Sequence, residues 1–182
     1  MSEKIITIDN WVPQETCKRL CEMFDESQES KGERTYLRGD DIHCIRLDMK
    51  SMAGQNVNND WLGYTKDIGL LMKKAFKEYH KRTNAFPNTK FAPFPPHIHR
   101  YDPEFGFHNA SLFKENRLLS VIFYLNDVLQ GDTIFEVDGM KTTIKPKLGR
   151  AVLFPATKEY AFKDTPTKDY MKYVIKGHII KV

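Results

Sequence analysis

The chain has 182 residues, of which 41% are hydrophobic and 29% are charged, with a formal net charge of +4. These values are ordinary for a soluble globular protein, and they predict a single domain over residues 1–182. No apolar run reaches the roughly 20 residues of a membrane helix, and the basic residues are spread out, so neither a membrane nor nucleic acid is indicated as a partner. The start, MSEKIITIDN, lacks the apolar segment of a signal peptide, and three cysteines are an odd number, so we expect an intracellular protein that is not secreted.

Residues 1–90 carry two helical patterns and little else that is regular. The β-branched run Lys4–Asp9 predicts a short strand. Apolar residues recurring at helical spacing predict one helix from Pro13 to about Glu29 and a longer one from Asp60 to about Lys81. Cys17 and Cys21 lie on one face of the first helix, and we interpret them as small buried hydrophobes rather than as a metal clip.

The rest of the chain is a series of short strands and turns. The proline-rich stretch Phe86–Pro96 is either a stiff connector or an edge strand. The pair Asp138-Gly139 is a strong hairpin signal. Two helical stripes followed by many strands favour a β-sandwich with helices on one side. Candidate strands, all rich in β-branched or aromatic residues, are Ile42–Asp48, Pro96–Tyr101, Arg117–Leu125, Asp132–Val137, Lys141–Lys145, Arg150–Phe154 and Met171–Val182.

Five sequence stretches follow one another in an order typical of a known family. They are YDPEFGFHNA (101–110), RLLSVIFYLND (117–127), GDTIFE (131–136), PKLGRAVLFP (146–155) and MKYVIKGHI (171–179). Their order resembles the iron(II)/2-oxoglutarate dioxygenases, in particular the prolyl-4-hydroxylase-like branch. The resemblance implies a mostly β fold with flanking helices, the double-stranded β-helix or jelly roll. Residues 1–90 would form a helical buttress packed on one sheet, and residues 91–182 would supply the core strands.

The metal ligands of that family are incomplete in this chain. The family binds iron through His-x-Asp/Glu and a second His that precedes a Lys. Here the tripeptide is His108-Asn109-Ala110, and the register places Phe162 at the second His. The resemblance therefore implies a degenerate site in which His108 alone keeps a ligand position. Ala110 matches halogenating members, but those enzymes keep both histidines.

Other histidines leave further alternatives open. His97, His99 and His108 lie close enough in sequence to form an unorthodox zinc or iron site. The alternative for His108 is a partly buried, hydrogen-bonded histidine without a metal. His178 is the last histidine, and its place on the final strand predicts a surface or edge position.

The co-substrate half of the family's site is better matched. The resemblance places Lys172 where a cation binds the distal carboxylate of 2-oxoglutarate. It also places the hydroxyls of Tyr101 and Tyr124 in that pocket, with Thr133 on an adjacent strand. A buried lysine needs an anionic partner. The alternative is that Lys172 lies in water on an edge strand.

These features predict a pseudo-oxygenase, in which the scaffold is kept, the iron site is lost, and the role is binding or structural. A phage virion or accessory role, with a protein partner or a second copy of the chain, fits the small lysine-rich sequence. No cofactor is then expected, and the protein would reside in the cytoplasm or in a virion. The alternative is an active dioxygenase that uses Fe(II) and 2-oxoglutarate at an unorthodox site to hydroxylate a peptidyl or nucleic-acid substrate. A third hypothesis is a small-carboxylate sensor that uses Lys172.

Overall fold

The computed structural model describes residues 4–31, 44–49, 59–103, 108–110 and 114–182. Within these ranges the chain forms two α-helices, ten strands and one short 3-10 helix at Lys158–Tyr160. The helices are α1 (Gln14–Lys31) and α2 (Asn59–Thr83). The strands are β1 (Ile6–Ile8), β2 (Cys44–Asp48), β3 (Phe91–Tyr101), β4 (His108–Ala110), β5 (Arg117–Tyr124), β6 (Thr133–Val137), β7 (Met140–Ile144), β8 (Ala151–Pro155), β9 (Phe162–Asp164) and β10 (Lys172–Lys181). No helix in these ranges is long and apolar enough to cross a membrane.

The strands form two antiparallel sheets that face each other. The larger sheet has the order β1-β8-β5-β10-β3-β2, and the smaller has the order β4-β9-β6-β7. The last strand, β10, therefore lies inside the larger sheet, between β5 and β3. This arrangement confirms the predicted class, a mostly β jelly roll with helices packed on one sheet.

Two hydrophobic cores lie on opposite faces of the larger sheet. One core joins α1 and α2 to that sheet, and it includes Leu20 and Met72 from the helices and Ile175 from β10. The other core lies between the two sheets and includes Val174 of β10 and Phe135 of β6. Because successive side chains on a strand point to opposite faces, Lys172, Val174 and Lys176 share the face that meets the smaller sheet.

Three prolines of the 86–96 stretch, Pro93, Pro95 and Pro96, lie inside a strand rather than before it. β3 begins at Phe91, so the predicted start of this strand at Pro96 is wrong. The proline part pairs with β10, from Phe91 opposite Lys181 to Phe94 opposite His178. β2 pairs only with the later residues 97–101, and Pro95 and Pro96 lie where the pairing with β10 shifts register, positions at which a strand tolerates a missing N–H.

Two strands of the smaller sheet were not predicted. β4 and β9 have three residues each, which is too short for a period-2 pattern to be recognised. The predicted strand Ile42–Asp48 is seen as Cys44–Asp48, and its first two residues lie outside the described ranges. The predicted hairpin at Asp138-Gly139 is confirmed, since Val137 and Met140 are opposite partners and both turn residues have positive φ.

Gly149 lies where the turn before β8 meets the N-terminal segment. Its φ is +73°, and a Cβ placed on it would lie 2.6 Å from the carbonyl oxygen of Val12. The Gly149 carbonyl also accepts hydrogen bonds from the backbone of Trp11 and Val12. The position therefore requires both the left-handed conformation and the absence of a side chain.

We expect Gly149→Ala to lower the free energy of unfolding by about 2–4 kcal/mol, from backbone strain and the contact with Val12 together. Gly139 is the matched control, because its φ is +75° and a Cβ added there would meet no atom within 4 Å. Gly139→Ala should cost only the strain, about 1–2 kcal/mol. Denaturant unfolding of both variants measures the difference, and equal losses would show that the approach of Val12 is not limiting.

Candidate functional site

The short strands β4 and β9 bring the motif positions together. Ala110 lies opposite Phe162, and His108 lies opposite Asp164 in the same antiparallel pair. The two positions that the resemblance identifies as lost ligands are therefore direct backbone partners. The ligand role of His108 stays a prediction.

Phe162 fills the space between the sheets with an aromatic ring. It is buried, and its ring centroid lies 5.6 Å from that of Phe135 and 5.7 Å from that of Phe154. The latter pair meets edge to face, an arrangement that stabilises aromatic clusters. This position therefore contributes packing, and it offers no atom that could coordinate a metal.

Lys172 is buried at the start of β10. Its side chain is 1% exposed, and its Nζ lies 3.2 Å from Oδ1 of Asp164. The same ammonium donates a hydrogen bond of 2.8 Å to the carbonyl of Gly131. The alternative of a lysine in water on an edge strand is wrong, because β10 lies inside the larger sheet and this face is covered by the smaller one.

Gly131 has a conformation that lets its carbonyl reach this lysine. Its φ is +94°, and a Cβ there would lie 2.6 Å from a methyl carbon of Thr167 and 3.4 Å from Cδ of Lys172. A side chain at this position would clash with Thr167 and would touch the lysine stem. The backbone at Gly131 thus supplies part of the Lys172 environment.

Lys176 supplies a second buried ammonium, four residues further along β10. Its Nζ donates a hydrogen bond of 2.7 Å to the hydroxyl of Tyr101 and lies 3.2 Å from Oδ2 of Asp164. It also lies 4.8 Å from the ring centroid of Phe162. Such cation–π contacts are stronger where water is excluded.

Asp164 is the centre of the cluster, because it pairs with both lysines and accepts the last hydrogen bond of a chain of two hydroxyl groups. Thr133 donates to Oδ1 of Asp164, and the hydroxyl of Tyr124 donates to Thr133 at 2.6 Å. Tyr101 joins the cluster through Lys176 and lies under Lys172, whose Nζ is 5.0 Å from the Tyr101 ring centroid. The structure therefore brings together all four residues that the resemblance assigns to the co-substrate pocket, around a carboxylate that was not predicted.

Sequence reasoning missed Asp164 and Lys176. The available signal was on β10, where KYVIKGHII places two lysines four residues apart in an otherwise apolar strand. Period-2 alternation puts both on one face of that strand. A buried pair of like charges calls for a counter-charge, which here comes from the facing sheet.

The charges of this cluster shape its acid–base behaviour. Burial alone would raise the pKa of Asp164, but the ammoniums of Lys172 and Lys176 outweigh it and hold that pKa below its ordinary value. Burial, opposed by Asp164, lowers the pKa of Lys172. Burial raises the pKa of Tyr124, with the charge of Asp164 adding to the effect, so the tyrosine stays a neutral donor.

These residues do not fit a divalent metal ion. Fe(II) prefers imidazole nitrogen and carboxylate oxygen. At the position that the resemblance aligns with the second histidine, the chain has the Phe162 ring, with the Lys176 ammonium 4.8 Å from its centroid. Asp164 is the carboxylate of this cluster, and both of its oxygens are already engaged by cations. In the described part of the chain no three histidine, cysteine or acidic side chains are grouped as a metal site would need.

His178 is buried inside the larger sheet, so its predicted surface or edge position is wrong. The side chain is 8% exposed, and its Nδ1 lies 3.3 Å from Oγ of buried Ser120 on β5. The reason is topological, since the last strand in sequence is a central strand in space. The rings of His97 and His99 lie on β3 with centroids 6.4 Å apart.

The fold is shared with known oxygenases. No family model matches the chain, and no curated protein sequence matches it. A solved structure of a prolyl-4-hydroxylase from Pseudomonas putida has a TM-score of 0.71 at 16% identity, covering 100% of this chain and 94% of that one. A prolyl hydroxylase from Trichoplax adhaerens, in complex with a peptide fragment of hypoxia inducible factor, has a TM-score of 0.72 at 14% identity, covering 98% and 84%.

A viral protein shows the same similarity. The viral collagen prolyl hydroxylase of Paramecium bursaria Chlorella virus-1 has a TM-score of 0.65 at 18% identity, covering 98% of this chain and 90% of that one. At such identities the likeness concerns the backbone. The chain therefore has the fold of the prolyl hydroxylases and related 2-oxoglutarate–Fe(II) oxygenases, as the order of its sequence motifs predicted.

Proposed function

We propose that this protein is a non-catalytic relative of the prolyl-hydroxylase-like oxygenases, with a binding or structural role. The observation that carries the proposal is the position of the Lys176 ammonium, 4.8 Å from the ring of Phe162. In the register that the resemblance implies, Phe162 takes the place of a metal ligand and the Lys176 ammonium lies beside it. A divalent cation entering this region would meet repulsion instead of donor atoms.

The co-substrate half of the region supports the same proposal. In the resembled family a cation at the place of Lys172 binds an incoming carboxylate. Here Asp164 of the same chain already pairs with that lysine. A buried ammonium with two oxygen partners gains little from exchanging one of them for a ligand in solution.

The scaffold offers surfaces suited to a partner. The small sheet ends in a short edge strand, β7, on which Met140 is half exposed. Leu129 and Tyr170 are exposed next to a cavity of about 50 Å³. A protein partner or a second copy of the chain fits these features, and a phage virion or accessory role is the setting that we propose for it.

Metal content tests the proposal directly. Protein produced with ample Fe(II) and no affinity tag should retain far less than one iron per chain after anaerobic gel filtration, because the donor set is incomplete. It should also release no succinate from 2-oxoglutarate above the protein-free background. Mass-spectrometric metal analysis and a succinate assay give the two readouts, with the Pseudomonas putida enzyme as positive control.

Two results would overturn the proposal. Near-stoichiometric iron that is lost in His108→Ala would show that the chain builds an unorthodox metal site. Iron-dependent succinate release, with or without a peptide or nucleic-acid substrate, would support the active dioxygenase instead.

A further inference from the structure

We infer that Asp164 is a built-in carboxylate ligand of an anion site formed by Lys172 and Lys176, and that removing this carboxylate opens the site to small carboxylate anions from solution. The inference rests on the proposed function, and it extends that proposal from the metal to the co-substrate side. In the parent protein the Asp164 carboxylate then occupies the site and excludes other anions.

The contacts of Asp164 are those of a bound anion rather than of a surface residue. One oxygen lies 3.2 Å from Nζ of Lys172 and accepts the hydroxyl of Thr133, and the other lies 3.2 Å from Nζ of Lys176. Each oxygen thus has a charged donor, which gives strong hydrogen bonds. The residue is 4% exposed, so water does not share these bonds.

The pair of ammoniums is held in place independently of the carboxylate. Lys172 is also bound by the Gly131 carbonyl, at 2.8 Å, and Lys176 by the Tyr101 hydroxyl, at 2.7 Å. Both ammoniums also lie close to the Tyr101 ring, 5.0 and 5.2 Å from its centroid. Both lysines leave one strand of the larger sheet, whereas Asp164 comes from the smaller one.

The charge of the cluster also favours an anion. Both ammoniums pair with Asp164, whereas Asp132 acts on Lys172 through its charge without an ion pair, so removing Asp164 takes away the paired carboxylate of both lysines. Without Asp164 neither buried ammonium would keep a carboxylate at ion-pair distance, which is costly in a protein interior. The space that its carboxylate vacates matches a formate ion in size and in donor pattern, because both have two oxygens on one carbon.

Thermal melting of Asp164→Ala in the presence of formate tests the inference. The variant should melt about 6–20 °C below the parent, because it leaves two buried ammoniums without their paired carboxylate. Sodium formate at ten times its dissociation constant should raise the melting temperature of the variant by about 3–6 °C, through binding to the folded state alone. Sodium chloride at the same ionic strength should not.

Glu136→Ala is the matched control, since Glu136 is an exposed carboxylate on the same small sheet, 3.4 Å from Lys163. It should shift the melting temperature by less than about 2 °C and give no formate response. The parent should respond neither to formate nor to 2-oxoglutarate at millimolar concentration, because Asp164 occupies the site.

A triple variant, Asp164→Ala/Lys172→Met/Lys176→Met, keeps the test decisive if Asp164→Ala does not fold. Removing all three charges together should recover at least half of the loss in melting temperature and abolish any formate response. A triple variant as unstable as Asp164→Ala, a formate response equal in all variants, or a 2-oxoglutarate shift in the parent would each overturn the inference. None of these melting assays contains iron. Iron binding by the parent would therefore refute the proposed function without affecting the formate result.

Discussion

Ala110→Asp, Phe162→His and Lys176→Met together should turn the chain into one that retains close to one Fe(II) per molecule. The first two changes place a carboxylate and an imidazole on paired positions of β4 and β9. With His108 they restore two histidines and one carboxylate, the ligand set of the non-haem Fe(II) oxygenases. The third change removes the ammonium that lies 4.8 Å from the ring of Phe162.

The third change, Lys176→Met, is needed because the repulsion between the Lys176 ammonium and Fe(II) is large. A single and a double positive charge about 5 Å apart repel each other by on the order of 5 kcal/mol at an effective dielectric constant of 20. That corresponds to more than a thousandfold in affinity. The double variant Ala110→Asp/Phe162→His should therefore bind iron far more weakly than the triple variant.

Anaerobic gel filtration followed by metal analysis compares the two variants, with thermal melting with and without Fe(II) as a second readout. Lys163→Met is the matched control for the third change, because Lys163 lies on β9 beside the substituted Phe162 but pairs with exposed Glu136. Substituting it in the double variant should not improve iron binding. Equal binding by the double and triple variants would place Lys176 away from the metal position, and no binding by the triple variant would refute the motif register.

The fold was accessible from the sequence because its long elements carry clear periodicity. The stripe that includes Ile68, Met72 and Phe76 predicted α2 to within a few residues, and the Asp138-Gly139 pair predicted the β6–β7 hairpin. The strands β4 and β9 were not predicted, because three residues are too few to show the alternation of apolar and polar side chains that marks a strand. The order of the motifs nevertheless predicted that Ala110 and Phe162 lie close together, and the two residues are opposite partners in the β4–β9 pair.

Only part of the candidate site could be predicted from the sequence, because some of its contacts join residues of different sheets. Lys172, Tyr101, Tyr124 and Thr133 occupy motif positions, so the resemblance could identify them. Asp164 and Lys176 occupy no motif position, and their pairing crosses from one sheet to the other. A single sequence shows the spacing along a strand, but it does not show which charges meet across a sandwich.

The burial of His178 was missed because the sequence does not show that the last strand lies between β5 and β3, and this burial has a measurable consequence. Burial is the main cause that lowers the pKa of His178 to about 3, and the positive charges of Arg117, His97, Lys114 and Lys176 add to it. His97 lies on β3, Arg117 on β5, Lys114 in the segment before β5, and Lys176 on β10. Ser120 faces the ring as a neutral partner.

The stability of the fold should therefore fall steeply as the pH drops from about 6.5 to 3. The unfolded chain takes up a proton near the ordinary histidine pKa of 6.5, whereas the folded chain resists protonation until about 3. The unfolded state thus binds more protons in this window, so the contribution of His178 is fully present above pH 6.5 and is lost as the pH decreases. The complete loss is about 5 kcal/mol, of which about 3 kcal/mol is gone by pH 4.5.

Replacing His178 with Gln, which cannot be protonated and can still bond Ser120, should flatten this slope. Urea unfolding of parent and variant at intervals between pH 4.5 and 7.5 measures it, and the comparison cancels the titration of the groups that the two proteins share. The parent should lose about 3 kcal/mol across that interval relative to the variant. Parallel pH profiles for parent and His178→Gln would mean that the histidine is hydrated in the folded state, and that the inner face of β10 is open to water at this end.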